Sequence, residues 1–178
     1  MSRIHTPAID TATGETAEIY AQVKKGAGRV PNAYAAVGAY SPAILKTVLQ
    51  AEGVLAASSL NKKDRETVKL VISEVAGCDY CVAAHTALGK MAGLADETMN
   101  QVRHDQPTGD TKRDALAHFV RTLAKTNGTI AESEFEAIKA AGYTDQNLVE
   151  ISFAIALITF TNVFNRINDT DIDFPKVS

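Results

Sequence analysis

The chain has 178 residues, of which 46% are hydrophobic and 22% charged, with two cysteines and no tryptophan. That composition suits one globular domain able to build its own core and excludes a disordered chain. With 18 basic and 21 acidic residues the formal charge is −3, so nothing in it draws nucleic acid or an acidic membrane surface, and few aromatics are present to stack on bases.

The polar stretch from Met1 to Glu15 lacks the apolar centre of a signal peptide and reads as an N-terminal arm. Residues 15–25 carry Ile19 and Val23 at helical spacing, and Gly26 to Gly28 close that segment. Pro31 fits the first turn of a short helix reaching Ala39, and Ser41-Pro42 reads as an N-cap followed by proline at N1. The helix it opens places Leu45, Val48, Leu49 and Leu55 on one side. Asn61 caps a helix over 62–76, which Gly77 breaks, and the next helix runs from about Asp79 to Met91. A short helix over 96–103, a loop containing Pro107, and a helix from Asp110 or Thr111 to Asn127-Gly128 follow. Thr129 and Glu132 have capping-box spacing for a helix ending at Gly142.

Thr144 or Asp145 opens the last long helix, to about Ile167, and the tail beyond Asn168 is polar and extended. Its apolar residues surround the axis, which predicts a buried helix: one lying in part against another subunit, or the central helix of a monomer. The apolar run from Leu148 to Phe164 is interrupted by Glu150, Ser152, Thr159, Thr161 and Asn162, and reads as too short and polar for a bilayer. No membrane partner is expected, and the expected location is the cytoplasm. The predicted architecture is all-α: a single domain over 1–178 of seven to nine helices, with its core at about 15–168.

The chemistry concentrates in Gly77-Cys78-Asp79-Tyr80-Cys81-Val82-Ala83-Ala84-His85, which holds both cysteines as C-x-x-C with a histidine four residues after the second. In a cytoplasmic protein such a pair is redox-active or metal-binding rather than a static staple. Residues i and i+4 of a helix share a face, so Cys81 and His85 can meet. The start of a helix favours a thiolate, and a neighbouring imidazole can take the thiol proton. An acid behind the imidazole would orient it; the candidates are Glu74, one turn before Cys78, and Glu66, about three turns up the preceding helix. Tyr80 is a possible further contact of the site. Zinc held by the two cysteines and His85 is the competing reading, although His5, His104 and His118 fall at no ligand-like spacing for a fourth position. His118 reads as a packed core histidine, and His5 and His104 as loop or surface residues. No phosphate-binding glycine loop and no nucleophile elbow is present.

The stretches Leu60 to Glu66 and Gly77 to His85, with Arg29 to Asn32, Ser41-Pro42 and Asn162 to Arg166, resemble the carboxymuconolactone decarboxylase superfamily on its alkyl hydroperoxidase D-like, peroxidase-related branch. The resemblance spans roughly residues 28–170. It implies an all-helical fold and a homo-oligomer, trimeric or hexameric. It also implies a thiol-dependent peroxidase that needs no cofactor and no metal, acting on a hydroperoxide and recycled by a dithiol or protein reductant. Carried over residue by residue, Cys81 attacks the peroxide, Cys78 resolves, His85 is the base and Glu66 completes the relay. Where the best-known hydroperoxidases have a histidine between the cysteines, this chain has Tyr80. The decarboxylases proper lack the cysteine pair, so Cys78 and Cys81 argue against that activity. A thiol–disulfide oxidoreductase or redox adaptor using the same pair is the alternative.

Overall fold

The computed structural model describes residues 1–177. A 3-10 turn at Ile9–Thr11, which the sequence reading passes over, leads into α1 (Gly14–Ala27), α2 (Asn32–Tyr40) and α3 (Pro42–Ala56). These are followed by α4 (Lys62–Val75), α5 (Asp79–Met91), α6 (Asp96–Arg103), α7 (Thr111–Thr126), α8 (Glu132–Ala140) and α9 (Asp145–Asn168). Among the described residues there is no strand.

The helix at the centre is α4, which packs against α5, α6, α7 and α9. Every residue from Thr67 to Ser73 is buried, so its apolar side chains meet neighbours around the whole axis. Burial of a Val, Leu or Ile side chain of this kind contributes roughly 1.5–3 kcal/mol, which makes α4 the element around which the others condense. Val68, Val71, Leu116, Val120 and Ile151 form the interior of this core. A second, smaller core of Ile19, Tyr20, Val23, Val30, Val37 and Leu45 joins α1, α2 and α3.

Helix α9 is therefore not the central helix. One side, Ile151, Ala154, Ile158, Asn162, Asn165 and Asn168, is buried. The other side exposes Val149, Phe153, Phe160, Val163 and Ile167. At 24 residues and a mean hydropathy of 1.6 in its most apolar window, α9 is long and apolar enough to cross a membrane by length and composition, against the sequence expectation. Its inner side packs on α3, α4 and α5 and carries three buried asparagines.

Local signals are met unevenly. Asn61 Oδ1 accepts the Asp64 N–H at 2.9 Å as the cap of α4. Pro31 is the N-cap residue of α2, one position earlier than expected. The capping box at Thr129 does not form: α8 begins after Ala131 with no side-chain cap. The real box joins Thr144 and Asn147 at the start of α9. His118 is not a core residue; its side chain is 61% exposed and faces Glu134 of α8 at 3.2 Å.

Candidate active site

The turn between α4 and α5 builds the site. Gly77 has φ of 62°, in the left-handed region that glycine enters without a Cβ penalty. Its N–H donates to the Glu74 carbonyl at 3.0 Å, and the Cys78 N–H donates to the Ser73 carbonyl at 3.0 Å. Those two bonds are the Schellman closure of a helix. The chain reverses at once, so Cys78 becomes the N-cap of α5 and its sulfur accepts the Cys81 N–H at 3.3 Å. Cys78 and Cys81 form a disulfide across this first turn. Both residues are only 2% exposed.

The reversal also lays α5 back along α4. Glu66 lies about 16 Å up α4 from Gly77, and His85 about 12 Å along α5, at 1.5 Å per residue, so the two come nearly level. Glu66 Oε2 and His85 Nδ1 are 2.8 Å apart. Both side chains are largely enclosed, at 14% and 11% exposure. Burial works against a charge on Glu66, but the His85 ring, then Lys69 and Arg65, outweigh it and hold this carboxyl below the usual glutamate range. An ionised Glu66 accepts a hydrogen bond from Nδ1–H, which leaves Nε2 as the basic nitrogen of the ring. His85 follows Cys81 by one helical turn on α5, so the two share a helix face.

Glu74 is elsewhere. Its Oε2 accepts from Arg103 Nε of α6 at 2.7 Å, which corrects the expectation that it could serve as a second acid. The helix ends between Glu74 and Cys78, so sequence nearness does not become spatial alignment. Tyr80 lines the cleft beside Cys78, but its hydroxyl is an anchor point. It accepts the Ala33 N–H of α2 at 3.1 Å, and its ring meets Phe174 of the tail edge to face. Burial and the Asp173 carboxylate push its acidity far below that of a free phenol.

The residue missed from the sequence is Asn165. Its Nδ2 donates to Cys81 Sγ at 3.4 Å from the buried side of α9. The Asn165 amide is fixed by Thr170, whose hydroxyl donates to Asn165 Oδ1 at 2.9 Å. Asn168 Nδ2 in turn donates to Thr170 Oγ1 at 2.9 Å. Two signals pointed at it: Asn165 lies in the family-like stretch Asn162 to Arg166, and three asparagines fall close together near the end of a largely apolar helix, where polar groups inside a core must bond something.

The tail closes over the same end of α5. Asp173 pairs with Arg29 and accepts the Asn32 N–H at 3.0 Å. A polar cleft of about 400 Å³ remains beside Cys78, lined by Asp79, Tyr80, Asn165, Arg166 and Thr170. Among the described residues, no group of three or more His, Cys, Asp or Glu side chains is arranged to hold a metal ion.

Residues 42–121 match the family model described as the carboxymuconolactone decarboxylase family. No curated protein matches the chain. Among solved structures, an uncharacterized peroxidase-related protein from Ralstonia eutropha JMP134, described as an alkylhydroperoxidase AhpD core, superposes with a TM-score of 0.82 at 23% identity, over 97% of this chain and 92% of that one. An uncharacterized peroxidase-related protein from Silicibacter sp. TM1040 gives a TM-score of 0.81 at 20% identity, over 96% and 91%. The debrominase Bmp8, as a cysteine-to-alanine variant in complex with 2,3,4-tribromopyrrole, gives 0.82 at 16% identity, over 97% and 94%. Residues 42–121 thus form a region similar to the carboxymuconolactone decarboxylase family, and the chain as a whole has the alkyl hydroperoxidase D-like fold.

Proposed function

We propose that the chain is a thiol-dependent peroxidase that reduces hydroperoxides through Cys78 and Cys81. The observation that carries this reading is the Glu66–His85 pair at 2.8 Å, one turn from a cysteine whose sulfur also receives the Asn165 amide. A base, its orienting acid and a donor to the sulfur are what a thiolate nucleophile needs. In the reduced protein, His85 takes the Cys81 thiol proton. The thiolate attacks one peroxide oxygen, the O–O bond breaks, and the alkoxide leaving group takes the proton from His85. Cys81 becomes a sulfenic acid and the peroxide becomes an alcohol. The Cys78 thiol then displaces water from that sulfur and forms the disulfide. An external dithiol returns the two electrons by exchange.

The alternative, a thiol–disulfide oxidoreductase, has its own support. Cys78 is the N-cap of α5 and borders the polar cleft, so a partner thiol could reach it first. The fold is shared with a debrominase, and reductive removal of a halogen would draw on the same two thiols. A homo-oligomer is also proposed. The outer side of α9 repeats Val149, Phe153, Phe160, Val163 and Ile167 at heptad-like intervals, and a second copy would cover it.

The deciding experiment is intact mass and free-thiol count after one equivalent of an organic hydroperoxide is added to fully reduced protein. Loss of two hydrogens and both thiols, abolished in Cys81→Ser, supports the peroxidase. Thiols that survive peroxide but exchange quickly with a disulfide reagent favour the oxidoreductase. Thiols consumed only with a brominated pyrrole favour dehalogenation.

A further inference from the structure

Lys69 has no place in the cycle above, yet it is among the most buried charged residues of the chain, at 5% exposure in the middle of α4. A buried ammonium is costly unless it is paired. Its Nζ donates to Glu52 Oε2 of α3 at 2.6 Å. Glu66 precedes it by three residues on the same helix, so the two share a face. One ammonium thus serves two carboxylates: it bonds Glu52 of α3, and its charge favours the ionised form of Glu66 on α4. Tyr34 of α2 completes the group; burial, then the charges of Glu52 and Glu66, push its hydroxyl up to about 12. Glu66 therefore interacts with Tyr34 from α2, Arg65 and Lys69 from α4, and His85 from α5, while Glu52 of α3 joins the group through Lys69 and Tyr34.

We propose that Lys69 is a positioning residue: by balancing Glu52 it keeps Glu66 ionised as the acceptor of His85 Nδ1–H, and so keeps His85 Nε2 free to take the Cys81 thiol proton. The inference rests on the thiol-activation reading above. Without Lys69, two carboxylates and a phenol crowd one enclosed space, and like charges there cannot all persist. The more enclosed carboxyl takes up a proton. That is Glu66, whose side chain is 14% exposed against 32% for Glu52. A protonated Glu66 donates to Nδ1 instead of accepting from it. The ring proton then resides on Nε2, and the nitrogen meant for the thiol is no longer basic. The peroxide chemistry is unchanged by this step; a single proton has moved from one side of the ring to the other.

The charge argument makes an unusual prediction about pairs. Lys69→Met harms the site because it strands Glu52, so Glu52→Gln added to Lys69→Met restores it, and Lys69→Arg retains it. The experiment uses reduced full-length protein. The His85 tautomer is read by ¹⁵N NMR, with His85→Asn for assignment, and the Cys81 alkylation rate by iodoacetamide and mass spectrometry across pH. Lys69→Met is expected to show the Nε2–H tautomer and alkylation at neutral pH slowed at least about tenfold, the equivalent of one unit in proton affinity. The double variant is expected to recover the wild-type tautomer and most of the rate. An unchanged tautomer in Lys69→Met, or a folded double variant that stays slow, overturns the proposal. Neither readout involves peroxide. A wild-type protein that fails to consume hydroperoxide therefore removes the peroxidase reading, while the tautomer still decides the role of Lys69.

Discussion

Replacing Glu66 with glutamine tests the relay most directly, because the side chain keeps its size and loses only its charge. Glu66 Oε2 lies 2.8 Å from His85 Nδ1. A hydrogen bond to a charged group contributes about 1.5–3 kcal/mol net. If that energy is expressed where the ring becomes positive, as it takes the Cys81 proton, each 1.4 kcal/mol is about tenfold in rate. The expected slowing is about 10- to 150-fold in the second-order reaction of the reduced protein with hydroperoxide. The glutamine carbonyl can still accept from Nδ1–H, so the effect stays below the largest losses seen for a missing general base, about 10⁴-fold. The assay quenches reduced protein with a maleimide at timed intervals after peroxide addition and counts unreacted thiols by mass. His85→Asn, which removes the base itself, should be slower than Glu66→Gln. A Glu66→Gln rate within twofold of wild type, with His85→Asn strongly impaired, would refute the idea that the carboxylate acts through the ring.

Glu66 also has a signature in stability. Its folded-state pKa lies below the usual value, so the stability it contributes is present above the unfolded glutamate pKa and is lost as pH falls through the folded one; urea midpoints of Glu66→Gln should lose less on acidification than those of wild type. Asn165→Asp places a carboxylate where a donor now meets Cys81 Sγ at 3.4 Å, and alkylation of Cys81 should need a higher pH, while Asn165→Ala should shift it less. Gly77→Ala meets no atom within 4 Å but must hold φ of 62°, so a loss of roughly 1–2 kcal/mol is expected by chemical denaturation, purely from the backbone. Val163→Glu, on the outer side of α9 where Val163 is 54% exposed, should leave the fold intact and lower the mass measured by light scattering on a sizing column; an unchanged mass removes α9 from the proposed interface.

Most of the helices were legible because their stops are covalent facts about backbone preference. Gly28, Gly77, Gly93, Gly128 and Gly142 all adopt positive φ in the structure, and each sits where the periodic pattern ends. The site was legible in part for the same reason. C-x-x-C-x-x-x-H lies in one local stretch, so its geometry follows once the helix start is known. The choice between Glu66 and Glu74 was different. Spacing along a continuous helix favours Glu74, and only resemblance favoured Glu66. The structure brings Glu66 to His85 because the Gly77 turn breaks that continuity and folds α5 back, and it leaves Glu74 with Arg103. Asn165 lies 84 residues from Cys81, beyond any local pattern. His118 shows the opposite failure: apolar neighbours in sequence suggested a core position, but it stands on the outer face of α7 beside Glu134.

The two sulfurs occupy unlike surroundings, and that difference orders the proposed cycle. Cys78 holds the N-cap, where its sulfur accepts the Cys81 N–H and borders the polar cleft. Cys81 lies within α5, against Asn165 and on the face of His85. The cleft reaches the disulfide at Cys78, so in the proposed cycle a dithiol entering there would attack Cys78 and expel Cys81 as the leaving thiolate. A leaving thiolate departs faster as its pKa falls, and the Asn165 donor is aimed at that sulfur. The same donor would support Cys81 when it is the nucleophile. One amide thus acts in both directions of the cycle: the thiolate that leaves during reduction is the thiolate that attacks the next peroxide. On that proposal, reduction at Cys78 would regenerate the reactive form of Cys81, and the tail that fixes Asn165 through Thr170 would support the site.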